Sequence, residues 1–404
     1  RSLSRKRAPS PNIPIELVRI IARLNVGGPA IQAITLTDQL TKQGYRTTLV
    51  RGSESAREGS MDYLAHRLGV RPVLIPSLKR DPGWEDLRAL GALIRLLRRA
   101  RPQVVHTHAA KAGTLGRIAS IIASWGRPRP IRIHTFHGHS LTGYFSERTA
   151  ARYRVIERVL ASRTDRLVAV SSEVRDELIE LGVAPPDRFE VVPLGFDLRR
   201  FDVKPQDREL ARARVRAELG IAADTSVVTL IARLVPIKRV DRFLRASIGM
   251  LEERVHFLIV GDGELRDALR GSPDARAIGA KLTWTGFRQD IPDICFASDV
   301  VALTSDNEGT PVSLIEAAAA GVPGVSTAVG GAASVIRHGK TGLLVPREDE
   351  AALTEALRAL ALDATLRSRF GAAARVHAFE NFTLERLVGD LNRLYRRLLE
   401  ERST

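Results

Sequence analysis

The chain has 404 residues, 44% hydrophobic and 27% charged, longer than the ~250–300 residues at which a single core stops growing, so two domains are expected. Its 31 Gly and 20 Pro follow no period and its single cysteine is Cys295, which excludes a collagen-like chain, an intramolecular disulfide and a cysteine-built zinc cage. The formal charge of +16 is one-sided: residues 1–200 hold 34 Lys and Arg against 18 Asp and Glu, while residues 201–404 hold 28 of each. Such a field draws polyanions. With 5% aromatics and no interleaving of basic and aromatic residues, nucleic acid is set aside, which leaves phosphorylated substrates and an anionic membrane surface as expected partners.

Residues 1–14, RSLSRKRAPSPNIP, are basic with no apolar stretch behind them, so a disordered basic tail is expected there rather than a secretory signal. No run approaches the ~18 apolar residues of a spanning helix. A cytoplasmic location, peripheral to the inner face of the plasma membrane, is expected. From Ile15 the pattern alternates strands (IELVRIIARL, YRTTLVRG, RPVLIP, QVVHTHA, IRIHTFHG, RLVAVS, FEVVPLG) with stretches of helical period such as AIQAITLTDQLTKQG and WEDLRALGALIRLLRRA. Residues 15–198 form the first expected domain, and polar residues 199–224 an expected linker with one charged helix. The rhythm restarts over 225–382 with VVTLIARL, HFLIVGDG, KLTWTGF, DVVALTS, PGVSTAVGG and TGLLV, and residues 383–404 read as a terminal helix. This predicts an α/β chain of two doubly wound parallel-sheet domains in tandem, with ligands at the carboxyl ends of the strands.

Four motifs fall at those ends. Gly27 and Gly28 in LNVGGPA join the first strand to the first helix, where free amides suit a phosphate or where the turn is merely a turn. His106, His108, His134, His137 and His139 cluster on two strand ends; the spacing lacks a zinc-site pattern, so no metal is expected. His137 is the one expected to reach substrate, and His106 and His134 are read as structural. In IARLVPIKRVDRF, Arg233 and Lys238 flank a short turn, fit to neutralise a diphosphate or simply solvated. In SDNEGTPVSLIEAAAAGVPG, Glu308 lies in a loop and Glu316 on the helix that follows Pro311, a pair suited to hydroxyl groups, with helix-start amides between them.

The Gly-Gly loop, the HTFHG strand end, the Arg with a Lys five residues on, VGDG, and the two glutamates within EGTPVSLIEAAAAGVP resemble, in this order, the retaining glycosyltransferases of family 4. That resemblance implies the GT-B fold of two Rossmann-like domains facing across a cleft, with a C-terminal helix returning to the first. It implies a nucleotide-sugar donor, a UDP-sugar being expected, and no metal or other cofactor. It further implies that Arg233 and Lys238 bind the donor diphosphate, Glu316 the ribose and Glu308 the donor sugar. By the same resemblance Gly27 and Gly28 line the phosphate and acceptor region, His137 touches the donor sugar, and Gly261, Gly309, Thr310 and Pro311 line the donor site. Thr310 and Pro311 stand where Phe-Pro often follows Glu-Gly in the family, which loosens inference about the sugar. The phrase HTFHGHSLTGYFS looks like bacterial members acting on lipid-linked or surface polysaccharide precursors, so a lipid-linked or saccharide acceptor is expected; transfer to a soluble sugar, or a nucleotide-sugar epimerase, stays open.

Overall fold

The computed structural model describes residues 14–25, 27–54, 59–79, 83–138 and 147–403. His139 and nearly all of the expected basic tail lie outside them. Seven strands, β1 (Ile15–Ile21), β2 (Tyr45–Arg51), β3 (Val73–Leu74), β4 (Val104–His108), β5 (Ile131–Phe136), β6 (Arg166–Ala169) and β7 (Phe189–Val191), form one sheet in the order β3-β2-β1-β4-β5-β6-β7. Six more, β8 (Ser226–Ile231), β9 (Val255–Val260), β10 (Leu282–Gly286), β11 (Val300–Leu303), β12 (Gly324–Thr327) and β13 (Gly342–Val345), form a second in the order β10-β9-β8-β11-β12-β13. Every paired strand is parallel. In each sheet the order reverses beside its first strand, at β1/β4 and at β8/β11, and a reversal of this kind opens a crevice at the strand ends.

Helices cover both sheets, so the central strands are buried on both faces and read as near-continuous apolar runs. The core of the second sheet gathers Val228, Leu230, Phe243, Phe257, Ile259 and Leu357, all shut from solvent. In the first, the helix Glu85–Ala100 buries Ala89, Leu93 and Leu97 against Val18, Ile20 and Val105, with Leu90 and Ile94 packed beside them. The leucines of this helix other than Leu87 therefore serve the core. What it exposes is Arg95, Arg98 and Arg99, together with Leu87 and Trp84, which are 66% and 89% exposed.

The chain divides into two compact units, one of residues up to Val170, Val174–Val192 and from Glu385 onward, the other of Ser171–Glu173 and Pro193–Leu384. The stretch 199–224, expected as a linker, thus belongs to the second unit. The reason is Asp299, which accepts from both Arg212 (2.8 Å) and Arg216 (2.7 Å) of the helix Pro205–Glu218, while Arg216 also donates to the Ala297 carbonyl at 3.1 Å. The charged helix expected within that linker is pinned to the second unit by its arginines. The helix Leu384–Ser403 buries Leu387, Leu391, Leu394 and Tyr395, and its Asn392 accepts from the Tyr45 hydroxyl of β2 at 2.6 Å. Among the described residues no helix is long and apolar enough to cross a membrane.

Candidate functional site

In the second unit the strand ends are built around one buried carboxylate. Glu308 follows β11, is 8% exposed, and receives Lys238 Nζ and Ser305 Oγ on the same oxygen, the latter at 2.5 Å. Lys238 closes the short turn Pro236–Lys238 after β8. That turn is tied to the Glu308 loop by Thr304 Oγ1, donating to the Lys238 and Arg239 carbonyls at 3.1 and 2.9 Å. Asp306 locks it further, accepting from Arg239 at 3.2 Å and from Arg242 at 2.9 Å. Glu308, expected in a loop, lies in one and is turned inward.

Gly330 and Gly331, after β12, show why this loop needs glycine neighbours: a Cβ on either would stand 1.9 Å from the carbonyl oxygen of Glu308 or Gly309. The Gly331 amide donates to the Glu308 carbonyl at 3.1 Å. Thr310, which follows Gly309, is 8% exposed, and its hydroxyl is buried without a partner among the described residues. Pro311 caps the helix Val312–Ala319, as the residue type suits. Gly261, at the end of β9 with φ of 135°, lets its backbone pass Ala232, whose oxygen a Cβ would meet at 1.9 Å.

Glu316 lies on that helix, 8% exposed, and pairs with the guanidinium of Arg200. Burial pushes its carboxyl above the usual range and Arg200 opposes the shift. Arg200 also lies over the Phe201 ring at 5.1 Å. Arg233, after β8, is exposed, and among the described residues no ion pair holds its side chain. The second unit thus brings Lys238, Glu308 and Thr310 onto adjoining turns, with Glu316 one helix segment further on. Arg200, Ser305, Asp306 and Arg242 were missed from sequence. Only Arg200 carried a signal, as a cation beside an aromatic residue, and it fell at the edge of a stretch read as a linker.

In the first unit, Gly27 precedes and Gly28 begins the helix Gly28–Lys42, with Pro29 in its first turn; the Gly27 carbonyl accepts from the Ile31 amide at 3.2 Å. His108 ends β4 and His137 follows β5, their rings stacked at 5.2 Å and joined Nδ1 to Nε2 at 3.0 Å. His106 and His134 are wholly buried in the sheet, as their structural reading requires. His106 lies between Tyr395 (2.5 Å) and Thr135 (2.7 Å) and His134 meets Thr107 (2.9 Å). Burial holds all four imidazoles below their usual range, His137 down to about 3. Among the described residues no three His, Cys, Asp or Glu converge on a point that could hold a metal ion.

Comparison with known proteins agrees with this geometry. Residues 26–200 match Glycosyltransferase Family 4 and residues 211–377 match Glycosyl transferases group 1. The chain is 31% identical over 294 residues, 71% of its length and 73% of the relative's, to the UDP-Gal:alpha-D-GlcNAc-diphosphoundecaprenol alpha-1,3-galactosyltransferase of Escherichia coli. It is 30% identical over 396 residues, 92% of its length and 85% of the relative's, to the D-inositol 3-phosphate glycosyltransferase of Rhodococcus jostii. In fold it is similar to Anabaena HepE in complex with UDP and glucose, at a TM-score of 0.78 and 20% identity over 94% of this chain and 99% of that one. Sucrose-phosphate synthase of Thermosynechococcus elongatus superposes at 0.79, with 20% identity over 96% of this chain and all of the other. With its two parallel sheets and the buried glutamates of its second unit, the chain belongs to the GT-B glycosyltransferases of the family 4 type.

Proposed function

We propose that the protein moves a hexosyl group from a UDP-sugar to a lipid-linked saccharide, with retention of configuration and without a metal ion. The observation that carries this reading is the cluster of Lys238, Glu308 and the unpartnered Thr310 hydroxyl at the ends of β8 and β11. A sugar nucleotide brings what that cluster lacks, a diphosphate for the cation and hydroxyls for the carboxylate. Lys238 and Arg233 then take the diphosphate, and Glu308, still held by Ser305, turns its acceptor oxygens to the sugar. Glu316 takes the ribose once Arg200 yields it. The oxocarbenium-like transition state needs charge stabilised on the departing diphosphate, and the two cations supply it with no ion required.

The lipid-linked acceptor is supported by the Escherichia coli relative, whose name states a diphosphoundecaprenol substrate. Support also comes from the surface of the helix Glu85–Ala100, which exposes Leu87 and the preceding Trp84 toward its start and Arg95, Arg98 and Arg99 further along. Apolar and cationic groups together suit the interface of an anionic bilayer. The Rhodococcus relative, named for an inositol phosphate acceptor, supports a second reading, transfer to a soluble phosphorylated sugar alcohol. Purified protein with a panel of UDP-sugars and either GlcNAc-diphosphoundecaprenol or inositol phosphate separates them by product mass. Product on the lipid, α-linked by NMR and undiminished by EDTA, is expected. Product on inositol phosphate alone, or a strict divalent requirement, overturns the proposal.

A further inference from the structure

Arg19 of β1 is fully buried, and among the described residues no carboxylate pairs with it. Its Nη1 lies 2.8 Å from His108 Nε2. A guanidinium only donates, so His108 Nε2 accepts and the His108 proton sits on Nδ1. That proton faces His137 Nε2 at 3.0 Å, which must accept in turn. His137 is left with its own proton on Nδ1, an atom shut from solvent and without a partner among the described residues. The other branch closes on itself: Arg19 Nη2 donates to the Tyr395 hydroxyl at 3.2 Å, Tyr395 donates to His106 Nδ1 at 2.5 Å, and His106 Nε2 donates to Thr135 at 2.7 Å. His106, stacked on His108 at 4.4 Å, is thereby occupied and offers His108 no competing proton.

We propose that Arg19 and His108 are positioning residues that fix the His137 imidazole as its Nδ1–H tautomer, so that the ring offers the transferred sugar a hydrogen bond and serves as neither acid nor base. The sugar as the recipient rests on the function proposed above; the tautomer does not. A base would need a free ring nitrogen, and the one available is committed to His108. An acid would need a second proton, which the buried Arg19 cation two steps away disfavours. An imidazole donor that cannot be titrated keeps its polarity whether the diphosphate is bound or leaving.

Two-bond 15N–1H correlation of histidine-labelled full-length protein at neutral pH reads the tautomers directly, with His137 identified by the signals missing from His137→Gln. We expect protonated Nδ1 and bare Nε2 for both His108 and His137. In His108→Leu the His137 lock is removed and its Nε2–H form appears, whereas His108→Asn, whose amide nitrogen stands where Nδ1 stood, retains the Nδ1–H form. Turnover should fall about a hundredfold in His108→Leu, the scale of one lost transition-state donor, and recover in part in His108→Asn, with KM for the donor and the thermal midpoint reported for both. A proton on His137 Nε2 in the unaltered protein overturns the lock whatever the enzyme transfers. The expected tautomer with equal turnover in the Leu and Asn variants overturns the donor role. The expected tautomer in a protein that transfers no sugar supports the lock and counts against the proposed function instead.

Discussion

At the scale of single residues, the two glutamates differ in what already holds them. Glu316 is paired with a half-exposed arginine and its carboxyl is raised by burial, while Glu308 shares one oxygen between Lys238 and Ser305. Glu316→Gln should therefore weaken UDP and UDP-sugar alike, by the roughly 1.5–3 kcal/mol of a charged hydrogen bond. Glu308→Gln should spare UDP and lower turnover. Calorimetric titration with UDP beside steady-state kinetics checks both. The cations separate in another way. Arg233→Ala removes an exposed group and should weaken the donor with the thermal midpoint unchanged, whereas Lys238→Ala also strands a buried carboxylate and should lower that midpoint. The residue types and their order were legible in the sequence, because strand ends carry them at fixed places. Their partners were not: nothing local in SDNEG tells that Asp306 faces Arg239 and Arg242, or that Arg200 reaches Glu316 across 116 positions.

At the scale of elements, the thirteen strands among the described residues stand where the expected runs placed them; the central ones, buried on both faces, leave a plain apolar signature, while β3 is only two exposed residues, Val73 and Leu74. Polar helices were less legible. In Pro205–Glu218 the arginines bind Asp299 and carbonyls of the neighbouring helix, and no pattern of charges tells a solvated arginine from one so engaged. The helix Glu85–Ala100 is the converse: Leu90, Leu93, Leu96 and Leu97 went to the core, and its exposed face keeps the arginines and Leu87, with Trp84 exposed just before its start. If that face meets a bilayer, changing Arg95, Arg98 and Arg99 to Glu should abolish co-sedimentation with anionic vesicles and activity on a lipid acceptor, with UDP affinity intact. Each lost cation is worth about 1 kcal/mol near the surface. Equal binding of the unaltered protein to neutral and anionic vesicles would remove the membrane from the account.

At the scale of the whole molecule, four imidazoles kept neutral by burial, His106, His108, His134 and His137, set the acid limit of the first unit. Burial holds each well below its usual value, so below pH ~6.5 the unfolded chain takes up protons that the folded one refuses, and stability is lost as pH falls. Each contributes up to about 1.4 kcal/mol per pH unit, roughly 5–6 together. Urea unfolding between pH 7 and 5 should show a slope that steepens toward this value as pH falls, and replacing His134 by Gln should reduce it by a quarter. The same cluster has a consequence in time. Tyr395, which completes the shell around Arg19, is joined to it across 376 positions, and the whole of residues 193–384 is synthesised before it. Until then the first sheet holds a buried cation with an open side. A released chain ending at Leu384 should carry a second unit that resists protease and a first that does not, an inversion of the usual order in which domains mature from the N-terminus.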